Sequence, residues 1–438
     1  MGEWLDSLTT WLGMHPQWLG LAIFLIACIE CLAIAGIIVP GTVLLFAVAV
    51  LAGSGALTLW QTLLLGYTGG LLGDALSYTL GRRFHQNIRR LPGLRHHPEW
   101  IGSAEVYFHR YGVISLLVGR YIGPLRPMLP MVAGMLDMPL GRFIGVSLIA
   151  AAGWAVAYLL PGWATGAAMR LPLPDGFWSN ATIVIGVLAL IVGLTAHSSL
   201  RGHRWATPLT AVLSLLALFA LLLGWRHLQP LDQGLLTLIQ EQRGSHLDRL
   251  MVLITRLGDF TTQLFASALL CGLLLLTRQW RAGLFALGAL LGSALLNTSL
   301  KVLFARDRPE ILLEPLSSFS LPSGHSSAAF AFFLVLGILA GRDQPVRLRL
   351  TWLLLACLPA LAIALSRVYL GVHWPTDVIA GALLAGSCCA ISLSFAQWRA
   401  PLAALSPQIW WLILPASVAL LGAFALWALP AALQRYAY

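Results

Sequence analysis

"LPSGHSSAAFAFFLVLGILA", Leu321 to Ala340, joins a Pro-Ser-Gly-His opening to an apolar stretch without a single charge. Such a stretch reads as a helix crossing a bilayer, because a chain in hydrocarbon must satisfy its own N–H and C=O groups. The pattern recurs at Trp18 to Val39, Ala206 to Leu223, Leu350 to Leu365 and Trp410 to Leu429. These runs approach the roughly 20 residues that a crossing needs. Hydrophobic residues make up 58% of the chain and charged residues 10%, and the mean hydropathy is +0.82. The expectation is an all-α polytopic membrane protein with no soluble domain left over.

The formal charge of +10 does not point to nucleic acid, because the arginines sit in short clusters between apolar runs, as membrane topology demands. Cys28, Cys31, Cys271, Cys357, Cys388 and Cys389 all lie in apolar stretches without metal-ligand spacing and read as small core residues. The start "MGEWLDSLTTWLGMHPQWLG" has no basic segment and no small-residue cleavage site, so a removed signal peptide is not expected.

Around "HSSLRGHRWATP", His197 to Pro208, one block of apolar runs gives way to another, which predicts a boundary near residue 200. The second block predicts spans near 206–224, 258–277, 282–301, 325–340, 350–368, 376–395 and 409–429. Alternate connections at 201–204, 278–281, 341–349 and Arg399 are rich in arginine and should be cytoplasmic. The connections 225–257, 301–323 and 366–376 should then face the periplasm.

The last two of those carry the chemistry. "KVLFARDRP" holds Lys301 and Arg308, "PSGH" holds Ser323, Gly324 and His325, and "SRVYLGVHWPTD" holds Arg367, His373 and Asp377. A phosphate ester needs donors around its equatorial oxygens, a nucleophile on one side of phosphorus and a proton donor on the other. His373 and Asp377 lie four apart at a helix start marked by Pro375, so the carboxylate can turn back to the ring and leave its other nitrogen free to attack. His325 is the natural acid for the leaving oxygen. Ser323 opens a helix whose N–H groups point at an anion. A lone interfacial histidine is usually a headgroup contact, the reading given to His15, His197, His203 and His227.

These residues, Lys301-x6-Arg308-Pro309, Pro322-Ser323-Gly324-His325 and Ser366-Arg367-x5-His373-x3-Asp377, resemble the full signature of the type 2 phosphatidic acid phosphatase (PAP2) superfamily over about 205–395. The resemblance implies a six-helix core, here with an extra C-terminal transmembrane helix. It also implies metal-independent hydrolysis through a phosphohistidine on His373, with His325 as general acid and Lys301, Arg308, Arg367, Ser323 and Gly324 binding phosphate. Lys301 is the one lysine of the chain. A compact ammonium on a flexible stem is not interchangeable with a planar guanidinium, so this position reads as one that selects it.

In the first block, charges inside apolar runs default to a functional reading. They are Glu30, Asp74, Arg120 and Arg126. The plainer alternative is that Glu30 or Asp74 pairs with one of the arginines. "IAGIIVPG" and "YIGPLRPMLP" read as interrupted half-length segments, suggesting re-entrant hairpins in an inverted repeat, and the basic stretch 81–97 should be cytoplasmic. With Glu30 ahead of Pro40-Gly41, then Gly73, Asp74, Tyr78, Gly81, Arg82, Gly119-Arg120, Pro124, Arg126-Pro127 and Ala133-Gly134, residues 15–170 resemble the DedA (VTT) family. That resemblance implies lipid movement between leaflets, with Glu30, Arg120 and Arg126 as the functional residues. Family members commonly carry an acidic residue after the Pro-Gly; here it is Thr42, which leaves proton coupling open, with Asp74 as the substitute carboxylate.

The sequence therefore predicts two domains. Residues 1–200 form a lipid translocase, and residues 201–438 a lipid phosphatase with its site facing the periplasm of a bacterial inner membrane. The most economical substrate is undecaprenyl pyrophosphate. The rivals are a phosphatidate or phosphatidylglycerol-phosphate phosphatase joined to a general scramblase, and a non-catalytic lipid transporter. No cofactor, metal or nucleic acid is expected; the partners are a polyprenyl or phospholipid phosphate, the bilayer and, for coupling, protons.

Overall fold

A computed structural model describes the 438-residue chain except residues 1–9, 34, 39–40, 86, 88–101, 107, 109–111, 113, 121–125, 314–315, 317, 428 and 437–438. Pro40, Pro124 and most of the basic stretch 81–97 lie outside the described residues. All regular structure among those described is helical, and the chain forms two compact units, Met1–Pro172 and Leu173–Tyr438.

In the first unit a 26-residue helix, Leu59–Phe84, packs against Leu19–Cys31, Met128–Met135 and the 31-residue helix Leu140–Arg170. Thr58 starts the 59–84 helix with a capping box: its hydroxyl accepts from Gln61 N at 3.3 Å, and Gln61 Oε1 accepts from Thr58 N at 2.9 Å. Gly73 lets Leu19–Cys31 approach closely, since a Cβ there would collide with the Cys28 carbonyl oxygen and lie 2.9 Å from Cys31 Cβ. Lipid gives helices no hydrophobic reason to associate, so such backbone proximity supplies the van der Waals contact that holds them. The helices Leu19–Cys31, Gly41–Leu51 and Met128–Met135 have 13, 11 and 8 residues, each short of the roughly 20 that cross a bilayer.

In the second unit the helices Ala206–Gly224, Phe260–Leu276, Trp280–Phe304, Gly324–Ala340, Val346–Tyr369, Pro375–Ala396 and Pro407–Leu426 agree with the predicted spans to within a few residues. Buried Phe285, Phe332, Val335, Ile363 and Leu393 fill the space between them. Two expectations need correction. Phe177–Leu200, assigned by sequence to the first domain, packs on Ala206–Gly224 and Gln229–Gln240, and Asn180 Nδ2 donates to His227 O at 2.8 Å. Hydropathy locates a span but does not say which neighbours it packs against. The connection 225–257 is not a plain loop: it contains the helices Gln229–Gln240 and Ser245–Arg256. Gln229–Gln240 has only 12 residues, and Ser245–Arg256 carries Asp248, Arg249 and Arg256, so neither reads as an apolar run long enough to cross.

The connections of this unit gather at two ends. At one, Arg281 donates to the carbonyls of Ala396 and Pro401 at 2.6 and 3.0 Å, and Ala404 N donates to Asp343 Oδ2 at 3.1 Å. At the other, Gln240 Nε2 donates to the carbonyls of Val368 and Tyr369, and residues 301–323 meet 366–376.

Candidate functional site

At this second end three helix termini converge. Ser323 caps Gly324–Ala340: its hydroxyl accepts from Ser326 Oγ at 3.0 Å, while its N–H donates to Asp377 O at 2.9 Å. Pro375 opens the 375–396 helix, and Asp377 Oδ2, one turn in, accepts from Trp374 N at 2.9 Å. The same oxygen lies 3.3 Å from His373 Nδ1, so Nδ1 carries the proton and Nε2 keeps its lone pair. Arg308 Nη1 donates to Nε2 at 3.1 Å. His373 is 1% exposed. Burial, then the cations Arg308, Arg367 and Lys301 around it, hold its pKa well below the ordinary value. A neutral imidazole with a directed lone pair is what a nitrogen nucleophile requires.

Lys301, Arg308, Gly324, His325, Arg367 and His373 line one cavity of about 160 Å³. Lys301 Nζ donates to Phe319 O at 2.5 Å. Arg308 donates to the carbonyls of Ser318 and Val372, both at 2.6 Å, and burial and Arg367 lower its pKa to about 10. Arg367 is buried and donates through Nη1 to Thr255 Oγ1 at 2.9 Å. Two expected residues stand behind the cavity rather than on its wall: Asp377, beneath His373, and Ser323, whose hydroxyl is engaged by its own helix.

Sequence reasoning missed the residues that hold these in place. Arg306 bridges Asp377 Oδ1 at 2.9 Å and Asp232 Oδ2 at 2.6 Å. Asp232 Oδ1 accepts from Thr376 N at 2.8 Å, and Thr376 Oγ1 donates to Asp232 Oδ2 at 2.6 Å. Arg306, Asp232, Thr376 and Asp377 are all buried. The network fixes the carboxylate that in turn holds His373. On the opposite side Asp259 Oδ1 lies 2.9 Å from His325 Nε2, holding one ring nitrogen of the expected acid. Asp259 reaches it from a 42° bend between Ser245–Arg256 and Phe260–Leu276. Gly258 makes the bend possible: a Cβ there would lie 2.5 Å from Ile363 Cγ2 and 3.2 Å from His325 Cβ. A signal for Arg306 was present in "ARDRP", where only one of two arginines belongs to the motif. Asp232 carried none beyond lying in an outer segment, and Asp259 carried none at all, since it falls at the start of the span predicted near 258–277.

From Lys301, Gly324 and His325 a groove of about 450 Å³ runs between the 260–276, 280–304 and 324–340 helices. Its walls include Phe260, Leu264, Leu287, Leu290 and Ala331. The polar cavity and the apolar groove thus share three residues.

In the first unit the four charged candidates also come together, as two buried ion pairs: Arg126 with Glu30 and Arg120 with Asp74. The plainer alternative of pairing is therefore realised for both carboxylates. Trp154, fully buried, lies 5.0 Å from the Arg120 guanidinium and 5.8 Å from that of Arg126. Thr42, where the resembled family has an acid, donates its hydroxyl to Glu30 Oε1 at 2.9 Å.

Family models decide the assignment: the VTT domain matches residues 39–164 and the PAP2 superfamily matches 282–401. The chain is a VTT (DedA)–PAP2 fusion. The inner membrane protein YabI of Escherichia coli is 35% identical over 219 residues, covering 46% of this chain and 86% of that one. A transmembrane PAP2-type phosphatidylglycerolphosphate phosphatase from Bacillus subtilis, known from a crystal structure, is 28% identical. The match covers 43% of this chain and 97% of that one, with a TM-score of 0.39. The crystal structure of Aquifex aeolicus LpxE is 31% identical over 37% of this chain and 95% of that one, with a TM-score of 0.32. The fusion is a multi-pass membrane protein, and its PAP2 unit supports a lipid phosphatase.

Proposed function

We propose that the PAP2 unit removes the terminal phosphoryl group of undecaprenyl pyrophosphate at the periplasmic face and that the VTT unit carries the resulting lipid phosphate across the inner membrane. The observation that carries the phosphatase reading is His373: one nitrogen is held by Asp377 and the other is directed into a cationic cavity that opens on an apolar groove. The cavity suits a phosphate and the groove a hydrocarbon tail.

His373 Nε2 attacks the terminal phosphorus, the bond from phosphorus to the bridging oxygen breaks, and His325 gives that oxygen a proton. Lys301, Arg308 and Arg367 hold the equatorial oxygens as charge builds on them. His325 then takes a proton from water as the water attacks the phosphohistidine, releasing inorganic phosphate and restoring His373.

For the VTT unit the supporting observation is the pair of buried ion pairs around Trp154, a costly arrangement in apolar surroundings. The short helices 19–31, 41–51 and 128–135 fit re-entrant segments of an inverted repeat.

The test is a phosphate-release panel over undecaprenyl pyrophosphate, phosphatidate and phosphatidylglycerol phosphate, with and without EDTA. Expected are preference for the pyrophosphate and full activity in chelator; loss on chelation with recovery in magnesium overturns the phosphohistidine scheme. Orientation is read from cysteines placed at Arg342 and at Glu314, the latter outside the described residues. An impermeant thiol reagent on intact cells should label position 314 and spare 342, and the reverse pattern inverts the topology.

A further inference from the structure

The cavity of the phosphatase centre has a wall that none of its motifs supplies. After the 407–426 helix, whose Phe424 carbonyl accepts from Arg256 Nη2 at 3.1 Å, a short helix, Leu429–Arg435, lies at the site end of the PAP2 unit. Ala432 and Tyr436 are buried in one cluster with Val252, Tyr369, Leu370 and Val372, the last being the residue before His373. The Tyr436 hydroxyl accepts from Arg367 Nη1 at 2.8 Å, and its ring lies 5.6 Å from that guanidinium. Arg435, exposed, and Tyr436 line the cavity together with Lys301, Arg308, His325 and His373. This segment lies beyond the residues 282–401 matched by the PAP2 model.

We propose that Leu429–Tyr436 is a working part of the phosphatase centre that selects lipid diphosphates over lipid monophosphates, with Tyr436 positioning Arg367 and Arg435 contacting the second phosphoryl group. The proposal rests on the phosphatase reading and deepens it. The phosphoryl group under attack is common to both substrate classes, and Lys301, Arg308 and Arg367 are the cations available to it. A diphosphate brings a second phosphoryl group with its own negative charge into the same cavity. That group needs a further donor, and Arg435 is the cation on the wall that no motif residue accounts for. Guanidinium suits the role because its fork binds phosphate oxygens in pairs. Tyr436 acts differently. Arg367 is a long side chain whose Nη1 is shared between Thr255 and Tyr436, so the tyrosine hydroxyl fixes where the guanidinium points. Its loss affects whichever phosphoryl group Arg367 holds, and therefore both substrate classes alike.

The two residues are separated by kinetics of the full chain in detergent on a short-chain polyprenyl diphosphate and the matching monophosphate. Arg435→Gln should lower kcat/KM for the diphosphate about tenfold, the worth of one charge-assisted contact, and leave the monophosphate nearly unchanged; Arg435→Lys should restore part of the loss. Tyr436→Phe should raise KM on both substrates by a similar factor and leave their ratio intact, with an unchanged melting temperature showing that the unit is folded. Equal losses on both substrates for Arg435→Gln, no loss on either, or faster turnover in both variants overturns the proposal while the phosphatase reading stands. Wild-type chain that hydrolyses neither substrate overturns the phosphatase reading itself, and the selectivity with it.

Discussion

In the VTT unit two carboxylates face two arginines, Glu30 with Arg126 and Asp74 with Arg120. In the PAP2 unit the cavity before His373 sets Lys301, Arg308, Arg367 and Arg435 against the carboxylate of Asp259. Both arrangements bury charge among apolar helices, where an uncompensated ion is expensive. The first is neutral as it stands, so under the proposed transport an anionic lipid would displace a carboxylate to win an arginine, and its departure would let the pair re-form. That suits a group that is picked up and set down. The second has an excess of positive charge that its own residues do not neutralise, so it gains most when a multiply charged anion enters and when further negative charge develops there. That suits bond breaking.

The strongest test of this contrast is His373→Ala, which should abolish phosphate release and any trapped phosphoenzyme while leaving leaflet exchange of a labelled polyprenyl phosphate in proteoliposomes intact. Glu30→Gln should do the converse: exchange stops because Arg126 loses its anionic partner, and phosphate release continues. If Glu30→Gln also stops hydrolysis, the VTT unit presents substrate to the phosphatase rather than carrying its product. His325→Ala should slow turnover by about 10² to 10⁴ on a lipid substrate and far less on an activated aryl phosphate, whose leaving group departs without a proton; equal losses on the two would remove His325 from the acid role. Arg306→Leu leaves the Asp232 and Asp377 carboxylates buried without their shared cation. It should destabilise the PAP2 unit by about 3 to 5 kcal/mol, read as a lowered melting temperature, and weaken catalysis through a misdirected His373.

The smallest effect is on pH. His373 is held neutral by burial and by Arg308, Arg367 and Lys301, in that order. In the proposed role of nucleophile it is competent when unprotonated, so the acid limb of kcat/KM should fall well below the ordinary histidine value of about 6.5. Arg308→Gln removes the foremost of the cations that oppose protonation, so the limb should move to higher pH. A limb unmoved by Arg308→Gln would mean that it reports another group.

Much of the PAP2 unit could be read from residue order, and the reason is visible in particular residues. His373, Pro375 and Asp377 lie within one helical turn, so their spacing already encodes the contact, and the Ser323 cap follows from local chemistry in the same way. Asp232 and Arg306, by contrast, are far apart in sequence and meet at Asp377 only after the 229–240 helix has folded against the 375–396 helix. No spacing rule reaches across that distance. The 229–240 helix escaped because its 12 residues fall short of a crossing, and the 245–256 helix because it carries charge on one side, which a search for crossings rejects. The division at residue 172 rather than near 200 escaped because 177–200 looks like any other span until its neighbours are known. In the VTT unit Glu30 and Asp74 stood out as charges in apolar runs, while which arginine each takes is decided only by packing.

The polar cavity and the apolar groove meet at Lys301, Gly324 and His325, and this junction has a consequence for what happens after the bond breaks. The proposed cleavage would turn one amphiphile into two products of unlike solubility, an inorganic ion and a lipid that stays a surfactant. The ion finds itself on the wetted side of the junction and the lipid on the oily side. Each can leave by the phase it already prefers, so the centre sorts its products by partition alone.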